Sequence, residues 1–587
     1  MDKNDISRYM HRAEALRGSL VYDDFVHLLL PALLFAMVEY VLQLSDNVIA
    51  GNLFGDRALA GITLCQPYIA FITFVSMLII PGTAFFASLA IGKENRYRAN
   101  MIYGQGLIIS VAAGVLITVL SLIFKSNILL MFKTTPEVYN YVSGYFTGLL
   151  FQPLLIFYPV IFAAVIGEGG KKWCTISAIV LAVSNIVLSL VLGKYIGMMG
   201  LSLGTVFSLA IASAVLLMQF TEKNNPLKFI LRINLKDTLN VIKAGFTEAL
   251  IFNFSIVLLY SFFNWFLLRN FNSNTIIVFT IVVNIQSFFL AAYGGFSQTI
   301  QPMVSIYRGE TNFAGILKTA RIATVISGVI MVLFIALIYI FSKEIPLMFG
   351  VTDPALCAAS VRAIRIYAWS GLFLVWGLLL ANYLLNAGYV LFSSLISVMM
   401  LFVFTLPLTF IFCSRLNYGS MGAWIAISIS VFIGFIASMF PLNKMAKKRN
   451  FVFPWMLSKK VLNNEASFDV VGTKKNVKML MDMVEKELIK RGIEEKKILK
   501  ILLMLEETYM LNIDKTKKDK KYYVECTLMF KRKLLMYIRS NGIYSNATDV
   551  NAMPDSLRQY LSSMIVSSQK GSRFSMSVGD NRTIYEF

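Results

Sequence analysis

The feature that most constrains this chain is a series of apolar segments, each roughly 20 residues or longer, that begins near Phe25 and recurs until about Phe440. Backbone placed in hydrocarbon must satisfy its own N–H and C=O groups, so such segments fold as helices. The pattern predicts about twelve spans, over 26–50, 60–91, 101–124, 138–166, 174–196, 200–221, 244–268, 275–303, 318–341, 363–386, 390–413 and 420–442. With 57% hydrophobic and only 15% charged residues, the chain is solvated mostly by lipid. The polar 24 residues before the first run carry no small-residue cleavage site, and that run is too long for a signal-peptide core, so it reads as an anchor.

The net charge of +21 invites a nucleic-acid reading, but its placement argues for a topology signal instead. Basic residues gather before the first span (Lys3, Arg8, Arg12, Arg17), at Lys93, Arg96 and Arg98, at Lys171 and Lys172, from Lys223 to Lys243, at Arg308, Lys318 and Arg321, and from Lys444 to Arg449. These are alternate loops, which places both termini in the cytoplasm and requires an even number of spans. The expected division is a cytosolic N-terminal segment (1–24), a first lobe (25–222), a cytosolic linker (223–243), a second lobe (244–445), a second linker (446–468) and a cytosolic domain (469–587). The five cysteines are scattered without a Cys-x-x-Cys pair, and His11 and His27 lie apart, so neither a disulfide framework nor a zinc site is indicated.

Landmarks recur at a constant separation. Ile91-Gly92-Lys93-Glu94 after span two is echoed by Arg308-Gly309-Glu310 after span eight, and Met131-Phe132 by Met348-Phe349, each 217 positions on; Gly170 and Gly388 lie 218 apart. The chain thus repeats after six spans, and because six is even the copies share one orientation, related by an axis along the membrane normal. Such a repeat favours alternating access.

Span one carries Glu39, Gln43 and Asp46 at i, i+4 and i+7, on one helical face. A carboxylate at that depth needs a partner charge, which a proton, a sodium ion or an organic cation can supply, so the face is a candidate cavity lining; an inter-helix hydrogen-bond pair that only holds the fold is the alternative. Asn185, Ser189 and Thr205 could add neutral oxygens. The second half is polar but poor in charge; Asn253, Asn284, Gln286, Gln301 and Asn382 are its candidate substrate-cavity residues.

Leu44-Ser45-Asp46-Asn47 with Gly51-Asn52-Leu53-Phe54-Gly55, Gly167-Glu168-Gly169-Gly170, Asn185-Ile186-Val187-Leu188-Ser189, Gly200-Leu201-Ser202-Leu203-Gly204-Thr205, Gln301-Pro302 and Gly422-Ala423-Trp424 together resemble the multidrug and toxic compound extrusion (MATE) family, over roughly residues 20–445. The resemblance implies an all-α polytopic protein of two six-helix lobes in the plasma (inner) membrane of a bacterium. It implies export of small organic, often cationic, compounds in exchange for Na+ or H+, no enzymatic activity and no cofactor. On that resemblance Asp46 is the coupling aspartate and Asn185 its partner, the pair that would hold Na+. Many members carry a second aspartate where this chain has Ser189, which puts the coupling ion in question and makes Glu39 the candidate replacement.

After Asn450 the composition changes. Helical periodicity over Lys474–Arg491 and Glu494–Asn512, strand-like runs at Lys521–Phe530 and Lys533–Ser540, a helix near Asp555–Ser567 and a final strand near Phe574–Val578 predict a small α+β domain. Its order and Leu505-Glu506-Glu507 resemble the histidine-kinase-like ATPase fold of anti-sigma-factor kinases. That fold's magnesium-holding Asn falls on Leu511, Ser540-Asn541-Gly542 lacks the adenine-reading Asp, and no Gly-rich phosphate loop follows. The expectation is a degenerate module that binds a protein partner or a regulatory ligand. Two alternatives stand beside the exporter: a flippase for a lipid-linked substrate, which mid-span Arg and Lys would favour, and a membrane-bound signalling protein with the tail as output.

Overall fold

The computed structural model describes residues 19–587 apart from 133–135, 223–224, 272, 350, 352, 388, 449–450, 453–456, 459–462, 515–521, 532, 543–545, 547, 549–563, 570 and 578–579. Among the described residues, eleven helices are long and apolar enough to cross a bilayer: Leu20–Phe54, Gly61–Gly92, Arg96–Ile123, Val138–Gly167, Lys171–Ile196, Met198–Thr221, Thr275–Glu310, Phe313–Ile340, Ser370–Ala387, Leu391–Arg415 and Met421–Lys444. Leu235–Asn270, a helix of 36 residues, stands where the seventh span is expected. Counting it, the spans are numbered one to twelve below.

Several spans are longer than their apolar runs, because polar helix ends continue beyond the hydrocarbon. Others are broken. Span four is two helices, Pro136–Leu149 and Phe157–Gly167, joined by a 3-10 turn at Gln152–Leu155 that contains Pro153. Span ten continues a preceding helix, Pro354–Ala368, with an interruption at Trp369. Span eleven carries π-helical turns at Met399–Val403 and Ile411–Arg415.

The repeat is visible in the backbone. Spans three and nine, Arg96–Ile123 and Phe313–Ile340, are both 28 residues long and begin 217 positions apart. Each is entered through a residue of positive φ, Glu94 at 61° and Thr311 at 63°. An N-cap asparagine follows in both copies: Asn95 accepts from the Arg98 amide and Asn312 from the Gly315 amide. The equivalent glycines, Gly92 and Gly309, meet across the two lobes. A Cβ on Gly92 would lie 2.1 Å from the Ile306 carbonyl oxygen and 2.8 Å from Gly309 Cα, so no larger residue fits.

The chain then forms a short ribbon, β1 (Phe451–Val452) with β2 (Leu457–Ser458), and an antiparallel five-stranded sheet of β3 (Glu465–Val471), β4 (Tyr523–Phe530), β5 (Leu534–Ser540), β6 (Arg573–Ser577) and β7 (Asp580–Glu586). The order is β3-β4-β5-β7-β6. Helices Asn476–Lys490 and Glu495–Asp514 cover one face, closing a core of Val477, Leu480, Val484, Ile501, Leu505, Val524, Cys526, Met536, Ile538 and Tyr585. The other sheet face meets the helices of the membrane region.

The ribbon β1–β2 and two strands of the five-stranded sheet, β3 and β7, have no counterpart among the expected strands. β7 escapes a periodicity search because four of its buried positions, Asp580, Asn581, Arg582 and Thr583, are polar. The chain also continues past the strand near Phe574–Val578, which is therefore not the last. The helix expected near Asp555–Ser567 falls mostly outside the described residues; 564–568 are helical.

Candidate functional site

Asp46 lies eight residues before the end of span one and points into the first lobe, where it is 6% exposed. Spans five and six are brought to it by a close helix contact. At Gly204 a Cβ would stand 2.6 Å from Ser189 Cα, so glycine lets the two backbones touch and sets Thr205 beside Asn185.

A directed chain of hydrogen bonds results. The Ser45 hydroxyl donates to Asn185 Oδ1 at 3.1 Å, Asn185 Nδ2 donates to Thr205 Oγ1 at 3.0 Å, and the Thr205 hydroxyl donates to Asp46 Oδ2 at 3.3 Å. A second donor reaches the same oxygen: the Tyr145 hydroxyl, 3.0 Å from Asp46 Oδ2. Asp46 Oδ1 is buried without a hydrogen-bond partner among the described residues. Among the described residues no cationic side chain enters this group, so the carboxylate is held by neutral donors on one oxygen only. A buried carboxylate without a counter-charge takes up a cation or a proton. The oxygens of Asp46, Thr205, Asn185, Tyr145 and Ser45 are the hard neutral-plus-one-anion set that suits a monovalent cation. Among the described residues no cluster of three or more His, Cys, Asp or Glu side chains could hold a metal.

The other expected residues separate from this group. Ser189 is fully buried and its hydroxyl donates to the Leu201 carbonyl oxygen at 3.3 Å, bracing span five against span six. Glu39, two turns before Asp46, is exposed, and among the described residues it makes no hydrogen bond or ion pair. The side chains of Gln43 and Asn253 lie outside the described residues.

In the second lobe, Asn284 Nδ2 donates to the Thr280 carbonyl oxygen at 2.8 Å, while the main-chain carbonyl oxygen of Asn284 accepts from the Tyr40 hydroxyl of span one at 3.1 Å. Gln286 is buried. Gln301 donates to the Pro81 carbonyl of span two at 2.9 Å. Asn382 donates to Ser297 Oγ at 2.8 Å and accepts from Asn386 Nδ2 at 3.0 Å, while Ser305 donates to Asn386 Oδ1 at 3.3 Å. Gln301 and Asn382 thus tie helices together, and the second lobe has no counterpart of the Asp46 group among the described residues.

Sequence reasoning missed Tyr145. It is one of 26 tyrosines, and nothing in its neighbours marks it. Only the kinked path of span four, broken near Pro153, brings its hydroxyl to Asp46.

The MatE family profile matches this chain in two pieces, residues 31–191 and 249–411, one in each half. The chain is 24% identical over 440 residues to the probable multidrug resistance protein YoeA of Bacillus subtilis (strain 168), covering 69% of this chain and 91% of that one. It is 22% identical over 368 residues to the multidrug export protein MepA of Staphylococcus haemolyticus, covering 59% and 77%. Among solved structures, a MATE family multidrug resistance transporter in an outward-facing conformation superimposes with a TM-score of 0.65 at 20% identity, covering 74% of this chain and 98% of that one. A MOP superfamily transporter from Pyrococcus furiosus gives the same score, identity and coverage. About a quarter of this chain has no counterpart in either structure.

Proposed function

We propose, since the chain belongs to the MatE family of secondary transporters, that it exports small organic cations in antiport with Na+ or H+, and that Asp46 is the coupling group. The observation that carries this reading is the half-satisfied carboxylate: Oδ2 receives Tyr145 and Thr205, while Oδ1 is buried and unpartnered. Binding of an ion there would neutralise the charge, and its departure would restore it, so the helices around span one experience two electrostatic states. Ser189 lies behind the site and brings no second carboxylate, which makes this a one-carboxylate design.

Orientation follows the same reasoning. Two loops assigned to the cytoplasm by their charge lie beside the tail: Lys318 pairs with Asp469, and Arg96 donates to the Met576 carbonyl oxygen. We therefore place the tail and both termini in the cytoplasm. The tail is read as an interaction module without nucleotide chemistry, because the position that the ATPase fold resembled by its sequence needs as Asn is Leu511, buried in the apolar core.

The test is uptake of a panel of organic cations into proteoliposomes under an imposed Na+ or H+ gradient. Asp46→Asn should reduce gradient-driven uptake to background in a protein that remains folded. Undiminished uptake would overturn the assignment.

A further inference from the structure

We propose that the C-terminal domain is a latch: its sheet holds the two lobes together on the tail side, so that opening of that side requires the domain to release. This rests on the transporter reading above only in supposing that the lobes separate there.

The sheet face turned to the membrane region carries a row of polar residues that crosses all five strands. Asp469 pairs across the ladder with Glu525, Glu525 with Arg539, Arg539 with Arg582 and Arg582 with Ser575. Like charges directly opposite one another destabilise an isolated sheet, and this row contains an acidic pair and a basic pair. Both are neutralised from the membrane region. Lys318 of span nine meets Asp469 and, at 3.3 Å, Glu525. Glu310, at the end of span eight, takes Arg539 on one oxygen and Arg582 on the other; its side chain is fully buried, as is that of Arg582. Lys318 and Arg539 hold the Glu525 carboxylate below its usual range against the opposing effect of burial. The sheet is built for this partner.

The row also reaches the first lobe. Arg582, anchored to its own sheet through Nε on Ser575, donates from Nη1 to Glu310 of the second lobe and from Nη2 to the Ile91 carbonyl of the first, at 3.2 Å. One guanidinium therefore spans the lobe boundary, beside the point where Gly92 and Gly309 meet. Further first-lobe contacts surround it: Arg573 with Glu94 at 3.3 Å, Asn541 Nδ2 with Asp23 at 2.9 Å, and Arg96 with the Met576 carbonyl. Lobes that rock apart here would carry Ile91 and Glu310 in different directions, and Arg582 cannot follow both. Separation must uncover buried charges, and that is what a latch resists.

The experiment uses the full chain with its five native cysteines replaced and spin labels at Tyr97→Cys in the first lobe and Arg321→Cys in the second, both exposed. Distances are measured by double electron–electron resonance, alongside transport in proteoliposomes. R582Q should move the distribution toward longer distances, raising the open fraction roughly tenfold, as expected when the buried Glu310 loses one of its two guanidinium partners, and should raise the transport rate. Should R582Q fail to fold, R573Q with K318Q breaks the tail's ion pair to Glu94 of the first lobe and both of its ion pairs to Lys318 of the second, at less buried side chains, 51% and 22% exposed, and carries the same expectation. Unchanged distances in the folded variants would overturn the proposal. The distance measurement needs no substrate and no functional Asp46, so a D46N protein that still transports would sink the coupling assignment and leave the latch standing.

Discussion

Two buried carboxylates lie at opposite ends of this molecule's electrostatic range. Asp46 is surrounded by neutral donors and keeps one oxygen bare; Glu310 has a guanidinium on each oxygen. The difference separates a group that must recruit a mobile charge from one whose charge is permanently matched. A carboxylate held by Tyr and Thr can exchange its counter-ion without moving a helix, whereas one clamped by two arginines can be freed only by moving a domain. The first suits a coupling site and the second a structural lock.

The sharpest way to break this comparison is to remove the charge from Asp46. Asn keeps the shape and can still accept from Tyr145 and Thr205, so D46N should fold normally while gradient-driven uptake disappears. Removing the charge at Glu310 should act on structure instead. E310Q strands Arg539 and Arg582 in a buried site, which should weaken docking of the tail by about 3–5 kcal/mol; limited proteolysis of the full chain, with faster cleavage in the tail than in wild type, reads it. If E310Q docked as tightly as wild type, the two carboxylates would not differ as described.

A smaller effect is expected at Tyr145. Y145F removes one of the two donors to Asp46 Oδ2 and should change the apparent affinity for the coupling ion by about tenfold, the range of a single hydrogen bond to a charged group. Ion titration of uptake measures it, and an unshifted half-saturation concentration would show that the bond is incidental.

The mildest effect concerns pH at the docking surface. Burial pushes the Glu465 carboxyl of β3 up to about 7, against the main-chain N–H groups of Ala314 and Phe313 that favour its charged form. A carboxyl raised in the docked state holds a proton that the undocked state has already released. Docking should therefore be strongest at low pH, weaken as pH rises through about 7, and change little above that. The expected difference between pH 6 and pH 8 is roughly severalfold, readable in the same distance distribution, and E465Q should reduce it.

Much of the Asp46 group was legible along the chain. Asp46 stands out as a carboxylate within an apolar run, and Asn185 and Thr205 lie in motifs that resemble those of the MATE family. Tyr145 was not legible, because a tyrosine in an apolar helix has no local mark and its role depends on where span four bends. Glu310 could be seen only as part of a repeated loop. Nothing along the chain singles out Arg539 or Arg582, and β7, whose buried residues are mostly polar, escapes recognition as a strand. Strand recognition counts apolar residues on a buried face, and here the buried face is charged because its partner is charged.

Many membrane crossings, in two parallel copies followed by an α+β domain, can be read along the chain. Those properties follow from run length, periodicity and a constant offset, all of which are local or repeated along the chain. It takes the packed fold to bring Tyr145 and Thr205 to one oxygen of Asp46, to turn Ser189 away to the Leu201 carbonyl, and to join Glu310 to Ile91 through Arg582. Each of these depends on residues 99 to 491 positions apart brought together by packing, or on the direction a side chain takes once packed. A sequence records which residues carry charge, but the partner that neutralises each charge is chosen by the fold.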